Sequence, residues 1–456
     1  MKIDFSTLPL APHAFSEAPM TFCKSEHKRI LSSIMDILLV ETGHRVAREN
    51  WQAAQLRNLL AHAAQRSAFW RQRIGTRKSY ADVRLSSLPA LTRADLRQQV
   101  AREGSLMPPG SEPTQKHATS GSSGVPVEFF VSRMNGYYNS VRGLAQHFID
   151  GRDLSLSITR FKSLFTDDPC GFTVSKVDNP YGLQGFVLRG AYKKIEFTHP
   201  DLKALSKELR RDPIGLMIAQ PRIVEALLQF AGVDFFKEAG VAIWLSLGDR
   251  PSQSARDALS SVGIPVTANY SCEEIGMIGY ECGSAPNFYH VCTSNVLVEI
   301  DQTTLADFDG QPAGRVLLTH LHSYATPFIR YDVGDIASLH KSCPCGHQGP
   351  ALSNIYGRSK QLLKHADGSL SPFLIRGADI LAVADISEFR IRQTELQTIV
   401  VEIAAPETLP PAKIDAFRQL VKTYAGEGFD IQVNQVPKID WGRDTKRLGF
   451  RNELLS

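Results

Sequence analysis

Apolar residues in the first third of the chain recur at helical spacing. In AQLRNLLAHAAQRSAFW, Leu56, Leu59, Leu60 and Ala63 share one face, which predicts an amphipathic helix. Leu91 precedes Thr92-Arg93-Ala94-Asp95, where a threonine cap and an acid three residues on predict a helix start. Aspartate stands there in place of the more usual Glu or Gln. The middle of the chain alternates. DLKALSKELRR carries Leu202, Leu205 and Leu209 on one helical face, and Pro221 suits the first residue of a helix through RIVEALLQFA. VAIWLSL predicts a strand, Gly248-Asp249 a turn, Arg256 to Leu259 a helix, and IPVTANY a second strand. That order reads as a βαβ unit in a parallel sheet. NVLVEI and RVLLTHL, separated by the polar FDGQPAGR, predict a hairpin. Beyond Gly357 the pattern restarts, with TELQTIVVEIA as a strand. KIDAFRQLVKTY follows as a helix with Ile414, Phe417, Leu420 and Tyr424 on one side. We therefore expect a boundary near residues 357–361, dividing the chain into domains 1–357 and 358–456.

Composition narrows the class. The 456 residues are 43% hydrophobic and 21% charged, enough to bury large cores and to exclude disorder over most of the chain. A net charge of +4, scattered along the sequence, argues against a nucleic-acid or membrane surface. No apolar run approaches the roughly 18 residues of a membrane helix. The opening MKIDFSTLPLAPHAF, with Asp4 and two early prolines, does not read as a signal peptide, and the expected location is cytoplasmic. Seven cysteines do not suggest a secreted disulfide scaffold. Cys23 and Cys170 stand alone, whereas Cys272, Cys282, Cys292, Cys343 and Cys345 fall in one stretch. In a reducing compartment such clustering points to metal or chemistry.

The strongest local signal is Thr119-Ser120-Gly121-Ser122-Ser123-Gly124-Val125-Pro126. Its glycines let the backbone approach a ligand, and its hydroxyls and N–H groups suit phosphate oxygens. It lacks the Gly-Lys-Ser/Thr of a Walker loop, and composition alone is also that of a surface loop. Together with three later segments, however, it resembles the adenylate-forming superfamily of acyl-CoA synthetases, luciferases and nonribosomal adenylation domains. Asn269-Tyr270-Ser271-Cys272-Glu273-Glu274-Ile275-Gly276 resembles the adenine motif that ends in a metal-binding glutamate. Ile329-Arg330-Tyr331-Asp332-Val333-Gly334-Asp335 resembles the motif whose aspartate holds ribose. Gly357-Arg358-Ser359-Lys360 resembles the hinge motif, whose arginine also reaches the ribose. The helical LRNLLAHAAQRSAFW, the LPALTRADLR after it and the Cys/His pattern are similar to phenylacetate–CoA ligases and the branch that includes capsule-biosynthesis proteins.

The resemblance covers nearly the whole chain and implies an α/β fold: a large N-terminal domain of layered mixed β-sheets and helices, and a small mobile α+β C-terminal domain. It implies nucleotide binding by Thr119, Ser120, Gly121, Ser122, Ser123, Gly124, Gly248, Tyr270, Asp335 and Arg358, with a hinge at Lys360. It gives Glu274 as the Mg²⁺ ligand and Lys446 as the catalytic lysine that swings in from the C-terminal domain, with Lys438 the alternative. Chemistry suits these roles. Joining a carboxylate to the α-phosphate of ATP brings two anions together, and Mg²⁺ and a lysine neutralise the charge. A hard carboxylate oxygen suits Mg²⁺, and Tyr270 offers a ring face to adenine. Alone, Glu274 reads equally as an exposed helix-start residue, Tyr270 as core and Asp335 as a turn residue. The sequence also departs from the pattern: Val125 stands where the loop often has lysine, and Glu273 where a small hydroxyl residue is usual. On an extended segment Glu273 and Glu274 face opposite ways, so only one can meet a metal.

Three thiolates and one imidazole, Cys282, His290, Cys343 and Cys345, make a closed tetrahedral zinc set. Related ligases carry zinc in this arrangement; His347 and Cys272 are alternative ligands, and the bland reading is buried thiols with a core histidine. The acyl pocket is expected around Tyr137, Tyr138, Arg142 and Phe165, and around Trp244 and Leu247, whose aromatics fit an aryl or other apolar acid as well as any core. The activity implied is ATP-dependent formation of an acyl-AMP and transfer of the acyl group to coenzyme A. A carrier-protein thiol or an amine is the alternative acceptor. A non-catalytic nucleotide-binding or zinc-stabilised scaffold is the rival from another class.

Overall fold

The computed structural model describes residues 25–103, 114–118, 127–163, 171–176, 190–198, 201–248, 250–308, 311–358, 362–373, 375, 377–386, 388–405, 407–440 and 450–455. One large mixed sheet organises the N-terminal part. Its parallel half runs through Tyr192–Phe197, Ile158–Ser163, Gly215–Ala219, Val241–Ser246 and Val266–Cys272. The βαβ reading holds: Val241–Ser246 and Val266–Cys272 pair in parallel around the helix Gln253–Ser261. Ser252 caps that helix by accepting from the N–H of Ala255. Asp201 caps Leu202–Leu209 in the same way, and Pro221 opens Pro221–Ala231. The helices bury one side of the sheet around Trp244, Met217, Leu227 and Phe236.

Past Val266–Cys272 the sheet becomes antiparallel. It continues through Gly276–Glu281, Phe288–Val291, Ala351–Arg358, Tyr331–His340, Gln311–His320 and Val296–Ile300. The expected pairing of Val296–Ile300 with Gln311–His320 is present, but a short strand, Ala306–Phe308, lies between them and folds back on the second. Helices Arg45–Arg66 and Ala68–Ile74 pack here, burying Leu59, Leu60 and Trp70 completely. They are two helices where periodicity predicted one. Ser67 is extended, and its Oγ accepts from the N–H of Trp70, so its short polar side chain restarts the helix.

The last strand of the large sheet ends at Arg358. From Leu362 onward the chain has its own core, with Ile391, Ile399, Val401, Phe417, Val421 and Phe450. A four-stranded sheet in the order Asp430–Val436, Thr398–Ala404, Glu388–Glu395, Phe450–Asn452 is covered by the helix Pro411–Ala425. Leu362, Leu370 and Leu455 pack on Ala313, Ile336 and Tyr356 and join the two parts. No helix among the described residues is long and apolar enough to cross a membrane.

Candidate active site

The site is built where the sheet changes from parallel to antiparallel. Ligands of open α/β sheets lie beyond the carboxyl ends of their parallel strands, and Val266–Cys272 is the parallel strand that ends at this seam. Tyr270 is near its end, and its hydroxyl donates to Asp335 Oδ2 at 2.7 Å. Asp335 lies directly across the ladder from Arg358. Asp335 and Arg358 are thus paired on adjacent strands, and Tyr270 reaches Asp335 by its side chain from a strand farther along the same sheet. Register shifts fall beside Tyr270 and after Ile336; such bulges re-aim side chains. Gly334, inside the strand Tyr331–His340 just ahead of Asp335, has φ +82, a conformation that a Cβ would strain, and its N–H donates to Asp332 Oδ1 at 2.9 Å.

Glu274 sits in the turn after the same strand and is 5% exposed, whereas Glu273 faces solvent. The two carboxylates separate as expected. Glu274 Oε1 accepts from the Tyr331 hydroxyl at 2.7 Å and pairs with Arg93 Nη2 at 3.2 Å. Arg93 Nε also donates to the Tyr331 hydroxyl at 3.3 Å. Burial, followed by the Glu274 charge, raises the Tyr331 pKa, so its phenol stays a donor. Burial and the same carboxylate push the Cys272 thiol well above its ordinary value. Cys272 is therefore a protonated neighbour of Glu274 and stands apart from the cysteine cluster.

The sequence reading missed Arg93 and Tyr331. Arg93 was noted only as part of a helix start, yet that start is what positions it. Thr92 and Asp95 exchange hydrogen bonds of 2.8 to 3.1 Å, completing the imperfect box. Leu91 then bonds through its backbone to Arg330 and Asp332 at 2.9 Å on both sides. Position 93 is thereby fixed opposite Glu274. Tyr331 lay in plain view within the ribose motif.

Mg²⁺ commonly binds one or two protein carboxylates and completes its shell with substrate phosphates and water. Buried Glu274, in the turn after the last parallel strand, fits that habit, with Arg93 already in contact with the oxygen a metal would use. Gly248 has φ +86, and a Cβ there would meet only the Gln220 side-chain amide, at 4.0 Å. Thr119, Ser120, Gly121, Ser122, Ser123 and Gly124 lie outside the described residues, as do Lys360, Lys446 and the side chain of Arg358. Lys438 is described and exposed.

The ligand atoms of Cys282, His290, Cys343 and Cys345 all lie within 4.8 Å of one another. Strands Gly276–Glu281 and Phe288–Val291 present the first pair, and the turn between Tyr331–His340 and Ala351–Arg358 presents the second. Backbone N–H groups point at sulfur: Ala285 to Cys282 at 3.3 Å and His347 to Cys345 at 3.4 Å. Such bonds favour thiolates. Burial pushes the Cys343 thiol up to about 12, so a cation is needed to hold all three sulfurs ionised. His347 stacks on His290 with centroids 4.2 Å apart. The donor set fits zinc.

Two residues expected near the acyl pocket are core instead. Trp244 is completely buried among the helices, its Nε1 donating to the Ala219 carbonyl at 3.1 Å. Arg142 is 2% exposed and pairs with buried Glu41 at 2.7 Å, because helix Arg133–Ile149 packs on Ser25–Thr42. Tyr138, on that helix, stacks on His322 at 3.8 Å. Phe165 lies outside the described residues.

No protein-family model and no curated sequence matches the chain. Solved structures do. 2-Hydroxyisobutyryl-CoA ligase in its postadenylation state, in complex with 2-HIB-AMP, aligns with TM-score 0.63 at 18% identity over 91% of both chains. The same ligase with R3-HIB-AMP gives 0.62 over the same shares at 18% identity. Its open conformation with 2-HIB-AMP and CoA gives 0.57, at 18% identity over 90% of this chain and 93% of that one. The chain has the adenylate-forming ligase fold.

Proposed function

We propose that this protein activates a carboxylic acid with ATP and passes the acyl group to coenzyme A. A carboxylate oxygen attacks the α-phosphorus, pyrophosphate leaves, and the thiolate of coenzyme A then attacks the acyl carbon and releases AMP. The observation that carries the reading is the meeting of Tyr270, Asp335 and Arg358 beside buried Glu274. Asp335 accepts from ribose hydroxyls opposite Arg358, and the Tyr270 ring lies against adenine. Glu274 would hold magnesium, which when bound would supply positive charge beside the pyrophosphate. The swinging residue is Lys446, turned about Lys360. The likeness to a ligase solved with an acyl-AMP and CoA supports both half-reactions.

The acid is aryl or otherwise apolar, a reading supported by Tyr137 and Tyr138, whose rings meet edge-on at 5.5 Å on one helix. Zinc bound by Cys282, His290, Cys343 and Cys345 is structural, since four protein ligands leave no open position. ATP–pyrophosphate exchange across a panel of carboxylic acids tests the reading. We expect exchange that depends on the acid, then thioester formation on adding coenzyme A. Exchange without a thioester moves the acceptor to a carrier thiol or an amine, and no exchange with any acid removes ligase activity.

A further inference from the structure

We infer that Arg93 is a built-in occupant of the metal position on Glu274, so that guanidinium and divalent cation alternate on one carboxylate and metal enters only together with nucleotide. This rests on Glu274 being the metal ligand of the proposed ligase. The Glu274 side chain is 3% exposed and that of Arg93 16%. An ionised carboxylate at that depth costs several kcal/mol unless a cation accompanies it. Before any ligand arrives, Arg93 is that cation. Its Nη2 is 3.2 Å from Oε1, the oxygen that also takes the Tyr331 hydroxyl at 2.7 Å. Tyr331 is neutral and fixed in a strand, so it orients the carboxylate and leaves the charge to Arg93.

A metal ion coordinating Oε1 must push the guanidinium away. Two cations a few ångströms apart in a buried site repel strongly, so free metal finds the position closed. A metal arriving with the phosphates of ATP brings compensating negative charge. The backbone at Leu91 and Asp332 is stitched by two 2.9 Å bonds, so exchange requires only a side-chain rotation of Arg93 and no movement of its helix. The buried carboxylate is paired in both states. The device makes metal binding conditional on nucleotide without any domain movement.

The test is Mn²⁺ binding followed by electron paramagnetic resonance on zinc-loaded full-length protein, with and without a non-hydrolysable ATP analogue. Without nucleotide, wild type should show no tight Mn²⁺ site. Arg93→Gln should gain one at least about tenfold tighter, the direction expected when a competing cation is removed. Arg93→Lys should stay closed, and Arg93→Gln with Glu274→Gln should lose the gained site. Arg93→Met, which keeps an apolar stem, stands in if the glutamine variant does not fold. A tight nucleotide-free Mn²⁺ site in wild type overturns the inference. So does a folded Arg93→Gln or Arg93→Met without one, or a gain that survives loss of Glu274. If wild type takes Mn²⁺ with the analogue while the variants gain nothing, only the alternation fails. If wild type binds no nucleotide, the ligase reading itself fails.

Discussion

Asp335 and Tyr270 share one short hydrogen bond, and the proposed nucleotide site gives each a different part. Asp335→Ala removes the proposed ribose acceptor together with the Tyr270–Asp335 hydrogen bond, so ATP binding should weaken by about 1–3 kcal/mol. Tyr270→Phe keeps the ring and loses only the bond that aims the carboxylate, so about 1 kcal/mol is expected. Titration calorimetry with ATP measures both. Equal affinity in wild type and Asp335→Ala would show that the ribose motif is misassigned. These two residues were legible in the sequence because each sits in a motif with its own spacing. Arg93 was not: it lies far from Glu274 in sequence, and nothing local to LTRAD says which strand the helix start is sewn to.

At the scale of elements, the turn carrying Cys343 and Cys345 is mostly exposed, and under the zinc proposal a bound ion would add to its order. Cys343→Ser or Cys345→Ser should lower thermal stability, and elemental analysis should find about one zinc per chain, the stoichiometry of a closed four-ligand site. A metal-free protein that melts at the same temperature would contradict this. The end of the strand Gln311–His320 and the turn after it carry two buried histidines, His320 and His322. Burial holds His320 down to about 3 and His322 to about 4. Their Nε2 atoms bond to Asn295 and to the Ser294 carbonyl, both at 3.0 Å. The unfolded chain takes up protons near pH 6.5 where the folded one does not, so stability is full above that pH and is lost as pH falls toward 4. Denaturant unfolding at a series of pH values should show this loss, amounting to a few kcal/mol in all, and replacing both histidines with asparagine should reduce it, leaving the part due to buried His147, which is also held down to about 3. The strand and helix periods that gave the βαβ unit and the C-terminal strand and helix were strong because each element has one buried face. The break at Ser67 and the strand Ala306–Phe308 were hidden, since a single serine and three residues leave no period to read.

For the whole molecule, the proposed nucleotide residues Tyr270, Asp335 and Arg358 lie on the large N-terminal sheet, and the proposed catalytic Lys446 lies outside the described residues. Lys446→Ala should slow acyl-AMP formation by about 10²-fold or more, the scale for deleting a charge that meets the transition state. Supplied with pre-formed acyl-AMP, the same variant should still make thioester at close to the wild-type rate. Thioester formation lost in step with adenylation would mean that the lysine does not move between the half-reactions. Acyl specificity was the least legible property. Trp244 and Arg142 have the composition of a pocket and the burial of a core, and composition cannot separate the two.

The most direct test of the account is acid-dependent ATP–pyrophosphate exchange, measured side by side for wild type and Glu274→Gln. The account predicts exchange with at least one aryl or apolar acid in wild type, and its loss by about 10²-fold or more in the variant, where the carboxylate that holds magnesium is neutral. Exchange of equal rate in both proteins, or none in wild type with any acid offered, would contradict it.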